Sequence, residues 1–156
     1  MPRPTSNRHE KFKGRSKSEG KYGDYLISRG VPFDYEPEAI PYTRETTYTP
    51  DFRVAREGGV PLWIEFKGWL EGEDRTELNA FLCQYPGFPL CMVFESSRGA
   101  SQKVSKGSSV TMADWLEARG VPWTHGHVLP EEWLDPAFTP QTRGYPKGSR
   151  ANYRRH

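Results

Sequence analysis

A chain of 156 residues has the length of one domain, and no stretch of it approaches the roughly 20 consecutive apolar residues that a bilayer span requires. Leu, Ile, Val and Phe make up only about 18% of it, a level at which disorder becomes a question. The net charge of +2 and the 13% aromatic content answer that question in favour of a folded chain with a small, aromatic-rich core and mobile ends.

The small net charge hides a segregation. Residues 1–21 carry a net +5 and residues 141–156 another +5, so the stretch 22–140 carries −8. Both ends are rich in Gly, Ser, Pro, Lys and Arg and nearly free of aliphatic residues. This predicts a basic flexible arm over 1–15, a folded domain over 16–135 and a basic flexible tail over 136–156. Basic ends around an acidic body suit a protein that grips a polyanion and keeps its carboxylates for a separate purpose. The first apolar cluster starts only at Tyr22, which leaves no place for the apolar core of a signal peptide.

Along the chain, Ser16 and Glu19 have the spacing of a capping box and Gly30 is a stop signal. Tyr22, Tyr25, Leu26 and Arg29 between them predict a helix over 17–29, despite Gly20 and Gly23. The stretch 32–40 alternates through Phe33 and Tyr35 and predicts a strand cut short by Pro37 and Pro41. Residues 46–55 and 60–68, rich in β-branched and aromatic residues and joined by Glu57-Gly58-Gly59, predict a hairpin with Phe52 and Val54 facing the core. A capping-box pattern at Asp74 and Glu77 opens a helix that ends at Pro86, and the apolar run 89–95 reads as a buried strand. A polar loop over 96–109 carries Arg98, Lys103 and Lys106. A short helix near 111–119, a strand near 121–129 and a helical turn at Pro130–Leu134 complete the chain. The sum is a mixed sheet flanked by helices in an α/β domain. Cys83 and Cys91 sit in apolar runs and are expected to be reduced, buried thiols. His125 and His127 lack further ligands at zinc spacing and are expected to be strand or loop histidines.

The hairpin holds the chemistry. Side chains alternate along a strand, so Glu65 and Lys67 share one face, and the turn sets Asp51 beside Glu65 across the ladder. Two carboxylates that close repel each other unless a cation lies between them, and a hard, oxygen-preferring divalent ion such as Mg2+ is the natural one. Lys67 beside them can orient a water or offset charge developing at phosphorus.

This Pro50-Asp51 followed by Glu65-Phe66-Lys67 resembles the PD-(D/E)xK nuclease superfamily. The wider run is closer still: Tyr48-Thr-Pro-Asp-Phe52, Ile64-Glu-Phe-Lys-Gly-Trp69, Val93-Phe-Glu-Ser-Ser-Arg98, Lys106-Gly-Ser and Pro130-Glu-Glu-Trp133 resemble the endonuclease I family of the T-odd coliphages, which are Holliday-junction resolvases. The resemblance implies a restriction-endonuclease-like fold in an intertwined, segment-swapped homodimer. It implies cleavage of four-way junctions and branched DNA by paired nicks in the cytoplasm of an infected bacterial cell, with Mg2+ as cofactor and Mn2+ as a substitute. It assigns metal-site roles to Glu19, Asp51 and Glu65 and a base-like or charge-stabilising role to Lys67. The residues alone also give Glu19 a plain capping role. Arg8, Lys11, Lys13, Arg15, Lys17, Arg98, Lys103 and Lys106 are the expected DNA contacts. The same motifs allow a nuclease of ordinary or damaged duplex, and basic arms by themselves allow a non-catalytic DNA-binding protein.

Overall fold

The structure, a computed structural model, describes residues 12–149, in which the chain forms two compact units that part between Glu45 and Thr46. The first is built on α1, Lys17–Ser28. Its start is a closed capping box: Ser16 Oγ accepts from the Glu19 amide at 3.1 Å and Glu19 Oε2 accepts from the Ser16 amide at 3.0 Å. Gly30, at φ +65°, lets the Val31 amide turn back to the Leu26 carbonyl and close the helix. Gly20 and Gly23, which weaken a helix in isolation, are its two buried residues. A Cβ at Gly23 would strike the Phe12 ring, which lies edge-on to Phe33 and Tyr35 at 5.3 and 5.0 Å. Gly23 thus admits an aromatic ring, and Gly20 lies against the Phe12 carbonyl.

The strand expected over 32–40 does not form. Pro32, Pro37 and Pro41 have no amide to donate, Glu36 turns the chain at φ +46°, and no ladder partner lies among the described residues. Tyr22, Tyr25, Ile27, Val31, Ile40 and Tyr42 of this unit are exposed.

The second unit holds a four-stranded sheet in the order β1-β2-β3-β4, with β1 Phe52–Val54, β2 Leu62–Lys67, β3 Leu90–Phe94 and β4 Trp123–His125. The hairpin pairs β1 and β2 antiparallel with Phe52 opposite Ile64, while β3 lies parallel to both β2 and β4. Helices α2 Gly72–Gln84, α3 Ser97–Ser101 and α4 Met112–Ala118 fill the connections, and α5 Glu131–Leu134 follows β4. The pleat of β3 divides the core: Leu90, Met92 and Phe94 join Leu78, Leu82 and Leu116 in one cluster, and Cys91 and Val93 join Leu62, Ile64 and Trp133 in the other. Both faces of β3 are therefore covered, which is why its sequence is a continuous apolar run.

Several expectations need correction. Strand β1 is three residues long and Phe52 is exposed, because the cluster around Ile64 and Val93 ends at Val54. Helix α2 begins earlier than Asp74, since the Asp74 carboxylate accepts from the Glu71 amide at 3.0 Å and caps the helix there. The loop 96–109 contains α3. Strand β4 is shorter than 121–129 because Gly126, at φ +88°, ends it. Cys91 is buried, and burial pushes its thiol up to about 12, but Cys83 is exposed. His125 lies on β4 and His127 in the loop beyond, as expected.

Residues 136–147, assigned by composition to a flexible tail, lie on the body. Thr142 is buried, its Oγ1 donating to the Phe88 carbonyl at 2.7 Å and its carbonyl accepting from Gly87 at 2.7 Å. Tyr145 exchanges two hydrogen bonds with the Asn79 side chain and donates its hydroxyl to the Ala118 carbonyl. Buried Arg56 reaches from the hairpin to the carbonyls of Trp133, Asp135 and Phe138 at 3.3, 3.0 and 2.6 Å. These are polar contacts over long sequence separations, which composition does not register. No helix among the described residues is long and apolar enough to cross a membrane.

Candidate active site

The site forms where β2 carries a charged pair on an otherwise apolar strand. Leu62, Ile64 and Phe66 face one core cluster, so Glu65 and Lys67 face the other side, over Leu78 and Met92. Glu65 is paired in the ladder with Met92 and is only 6% exposed. Asp51 stands one residue before the Phe52–Ile64 pair, and its Oδ2 accepts from the Phe66 amide at 2.9 Å. This bond holds the exposed Asp51 carboxylate beside Glu65, as the hairpin register predicts.

Two further residues shape the site. The Tyr48 hydroxyl donates to Glu65 Oε2 at 2.9 Å, and its ring packs on Phe81 at 4.7 Å between centroids. Lys67 Nζ lies between Glu65 Oε1 at 3.5 Å and Asp74 Oδ1 at 3.3 Å. Asp74 thus caps α2 with one oxygen and holds the lysine with the other. With Glu77 and Leu70 these groups line a cleft of about 20 Å³, room for roughly one water. Tyr48 could be found from its place three residues before Asp51; nothing in the sequence signals the contact of Asp74 with Lys67.

The electrostatics are those of a carboxylate pair short of positive charge. Burial raises the Glu65 carboxyl above its ordinary value, the Tyr48 hydrogen bond opposes this, and the Asp51 charge raises it further. Burial lowers the Lys67 ammonium, but Asp74 and Glu65 outweigh it and the net shift is upward. Burial beside Glu65 drives the Tyr48 phenol strongly upward, so it stays a donor.

The oxygen donors fit a hard divalent cation, which commonly takes one or two carboxylates and completes its shell with water and phosphate. Among the described residues no three His, Cys, Asp or Glu side chains gather into a metal-binding group, so the second unit offers Asp51 and Glu65 as a pair. Glu19 lies on α1 in the first unit. Hydrogen bonds from the Tyr35 hydroxyl at 2.9 Å and the Ser16 amide hold its carboxyl below the ordinary value. Both bonds fall on Oε2.

The raised Glu65 carboxyl makes the stability of the metal-free protein depend on pH. With its folded-state value raised, the metal-free protein binds an extra proton when folded, so stability falls as pH rises from the ordinary carboxylate range through the raised value. Glu65→Gln removes that penalty. In EDTA, melting curves should show the variant at least as stable as the wild type at pH 7, the difference vanishing toward pH 4. A variant that melts well below the wild type at pH 7 would mean that the ionised carboxylate stabilises the fold.

The expected DNA contacts divide by position. Arg8 and Lys11 lie outside the described residues. Lys13 and Arg15 precede α1, Lys17 opens it, and Arg15 is ion-paired with Glu36 at 2.6 Å. Arg98 on α3, and Lys103 and Lys106 beyond it, are exposed on the second unit.

An aspartate beside a Glu-x-Lys strand, with the lysine on the same face as the glutamate, is the site arrangement of a PD-(D/E)xK nuclease. The chain belongs to the phage endonuclease I family, which matches residues 4–148. It is 32% identical to endonuclease I of Escherichia phage T7 over 123 residues, 77% of each chain. It is 36% identical to endodeoxyribonuclease 1 of Enterobacteria phage T3 over 110 residues, 69% of this chain and 68% of the relative.

Proposed function

We propose that the chain is a Mg2+-dependent DNA endonuclease that resolves four-way junctions and other branched DNA by paired nicks, acting as a homodimer in the cytoplasm of an infected bacterial cell. Family membership and the relatives' names support DNA endonuclease activity. The observation that carries the mechanism is the buried Glu65 carboxylate facing Asp51, with Lys67 at 3.5 Å.

Asp51 and Glu65 would hold the ion, and when bound it supplies Lewis-acid polarisation of a phosphoryl oxygen and acidifies a water. The rest is the work of the side chains. Tyr48 holds Oε2 of Glu65 and Lys67 lies 3.5 Å from Oε1, so the carboxylate is fixed from both sides. Asp74 keeps Lys67 in place and charged, which suits the lysine to offset the negative charge that grows on phosphorus as water attacks and the P–O bond breaks. We assign Glu19 to the same chemistry in the partner chain of a segment-swapped dimer, a role that rests on the family resemblance. Two such sites related by a two-fold axis suit a four-way junction, which has matching symmetry.

Cleavage of a four-way junction and of a linear duplex of the same sequence, in Mg2+, Mn2+, Ca2+ and EDTA, tests the reading. Paired nicks in the junction are expected with Mg2+ or Mn2+. Ca2+ should support binding with little cutting, because its looser coordination positions the attacking water poorly. Equal cutting of both DNAs would make the chain a general duplex nuclease, and cutting in EDTA would refute the metal mechanism.

A further inference from the structure

Beyond the end of β2 the second unit opens into a groove of about 630 Å³. It shares Leu70 as a wall with the cleft that holds Glu65 and Lys67, and Trp69, two residues past Lys67, forms its lip. Trp69 is 57% exposed. Its indole N–H is tied to Glu71 Oε1 at 3.3 Å, and no aromatic ring or cation stacks on it among the described residues. A large flat apolar face is thus oriented and left open to solvent.

The opposite walls are basic. Arg75 spans the groove, donating to the Leu70 carbonyl and to the Val104 carbonyl at 2.8 Å each. No carboxylate among the described residues pairs with it, so its charge remains uncompensated. Lys103 and Lys106 line the groove and are exposed; the Lys103 ammonium donates to the Ser109 carbonyl at 3.3 Å, and Gly107 at φ +82° allows the tight turn that follows Lys106. The acid in this lining is Glu71, already engaged with the indole. In a stretch whose net charge is −8, a groove with three cations and an open indole is built for a ligand that is both anionic and partly apolar.

We propose that this groove is a track for the sugar–phosphate backbone of the DNA strand leaving the cleaved phosphodiester, with phosphates on Lys103 and Lys106 and a deoxyribose against Trp69. The placement beside the cut rests on the nuclease reading; the backbone contact does not. It separates Lys103 and Lys106 from the terminal cations, giving them a fixed position relative to Lys67.

The test is a methylphosphonate scan of a four-way junction bound to the full chain in EDTA, where only binding is read. A neutral linkage at a contacted phosphate should weaken wild-type binding several-fold. The Lys103→Gln/Lys106→Gln double variant should be insensitive at those positions alone, with the log–log salt slope shallower by about 0.9 per lysine. Trp69→Leu should leave that slope unchanged but abolish hydroxyl-radical protection of the adjacent sugar, and Trp69→Phe should restore it. All these side chains are exposed, and unchanged melting temperatures will show that the variants fold. If the double variant keeps the wild-type scan, or Trp69→Leu keeps the sugar protection, the track is wrong. If instead the scan behaves as expected and Mg2+ yields no cutting, the track stands and the nuclease reading fails.

Discussion

Asp51→Asn and Glu65→Gln are each expected to reduce Mg2+-supported cleavage by roughly 10³-fold or more, while junction binding stays equal or tightens slightly. Each change replaces one charged oxygen ligand by a neutral amide of the same shape. The folded chain has little reason to rearrange: the side-chain carbonyl that Asp51→Asn introduces can still accept from the Phe66 amide, and the one that Glu65→Gln introduces can still accept from the Tyr48 hydroxyl. What is lost is affinity for the ion and the several kcal/mol of charge stabilisation it brings to phosphoryl transfer. Binding escapes because neither residue is a cation for phosphate, and removing a carboxylate from a DNA-facing cleft relieves repulsion. Lys67→Ala should differ in kind, losing rate while Mg2+ still binds. Single-turnover cleavage and titration of junction binding in Ca2+ separate these outcomes. Wild-type cutting by either carboxylate variant would remove Asp51 and Glu65 from the site.

The second large effect is on stability and comes from the hairpin turn between Asp51 and Glu65. Arg56→Leu is expected to destabilise the protein by about 3–5 kcal/mol, lowering its melting temperature by on the order of 10–20 °C. The buried guanidinium donates to Val60, Trp133, Asp135 and Phe138 carbonyls, and no carboxylate among the described residues is ion-paired with it. Removing it strands the Val60, Trp133 and Phe138 carbonyls, which no apolar side chain can satisfy, while the Asp135 carbonyl keeps the Phe138 amide at 2.9 Å. It also unties the segment after α5 from the hairpin turn, so residues 136–147 should become sensitive to protease before the rest of the unit unfolds. Thermal melts combined with limited proteolysis read both effects. A variant with the wild-type melting temperature would show that these carbonyls find other donors.

The parts of the molecule that local chemistry decides can be read from the order of residues. A capping box needs only Ser16 and Glu19, and α1 starts where they place it. The hairpin register follows from the Glu57-Gly58-Gly59 turn and from alternation, so Asp51, Glu65 and Lys67 could be brought together on paper. Strand β3 announces its double burial by five apolar residues in a row. In each case the forces act within a few residues or across one turn.

What escaped the sequence depends on partners far along the chain. Alternation over 32–40 suggests a strand, but a strand exists only with a neighbour that pairs its amides, and Pro32 and Pro37 have none to give. The segment 136–147 looked like a tail because it is polar and glycine-bearing. It is held by the buried hydroxyl of Thr142, by the Asn79 amide and by the Arg56 guanidinium, all hydrogen bonds across more than 50 residues. Composition weighs apolar surface, and these contacts use almost none. Within the cleft the same division holds. The acid pair is local to one hairpin, whereas the hold of Asp74 on Lys67 exists only because the first turn of α2 folds back over the end of β2.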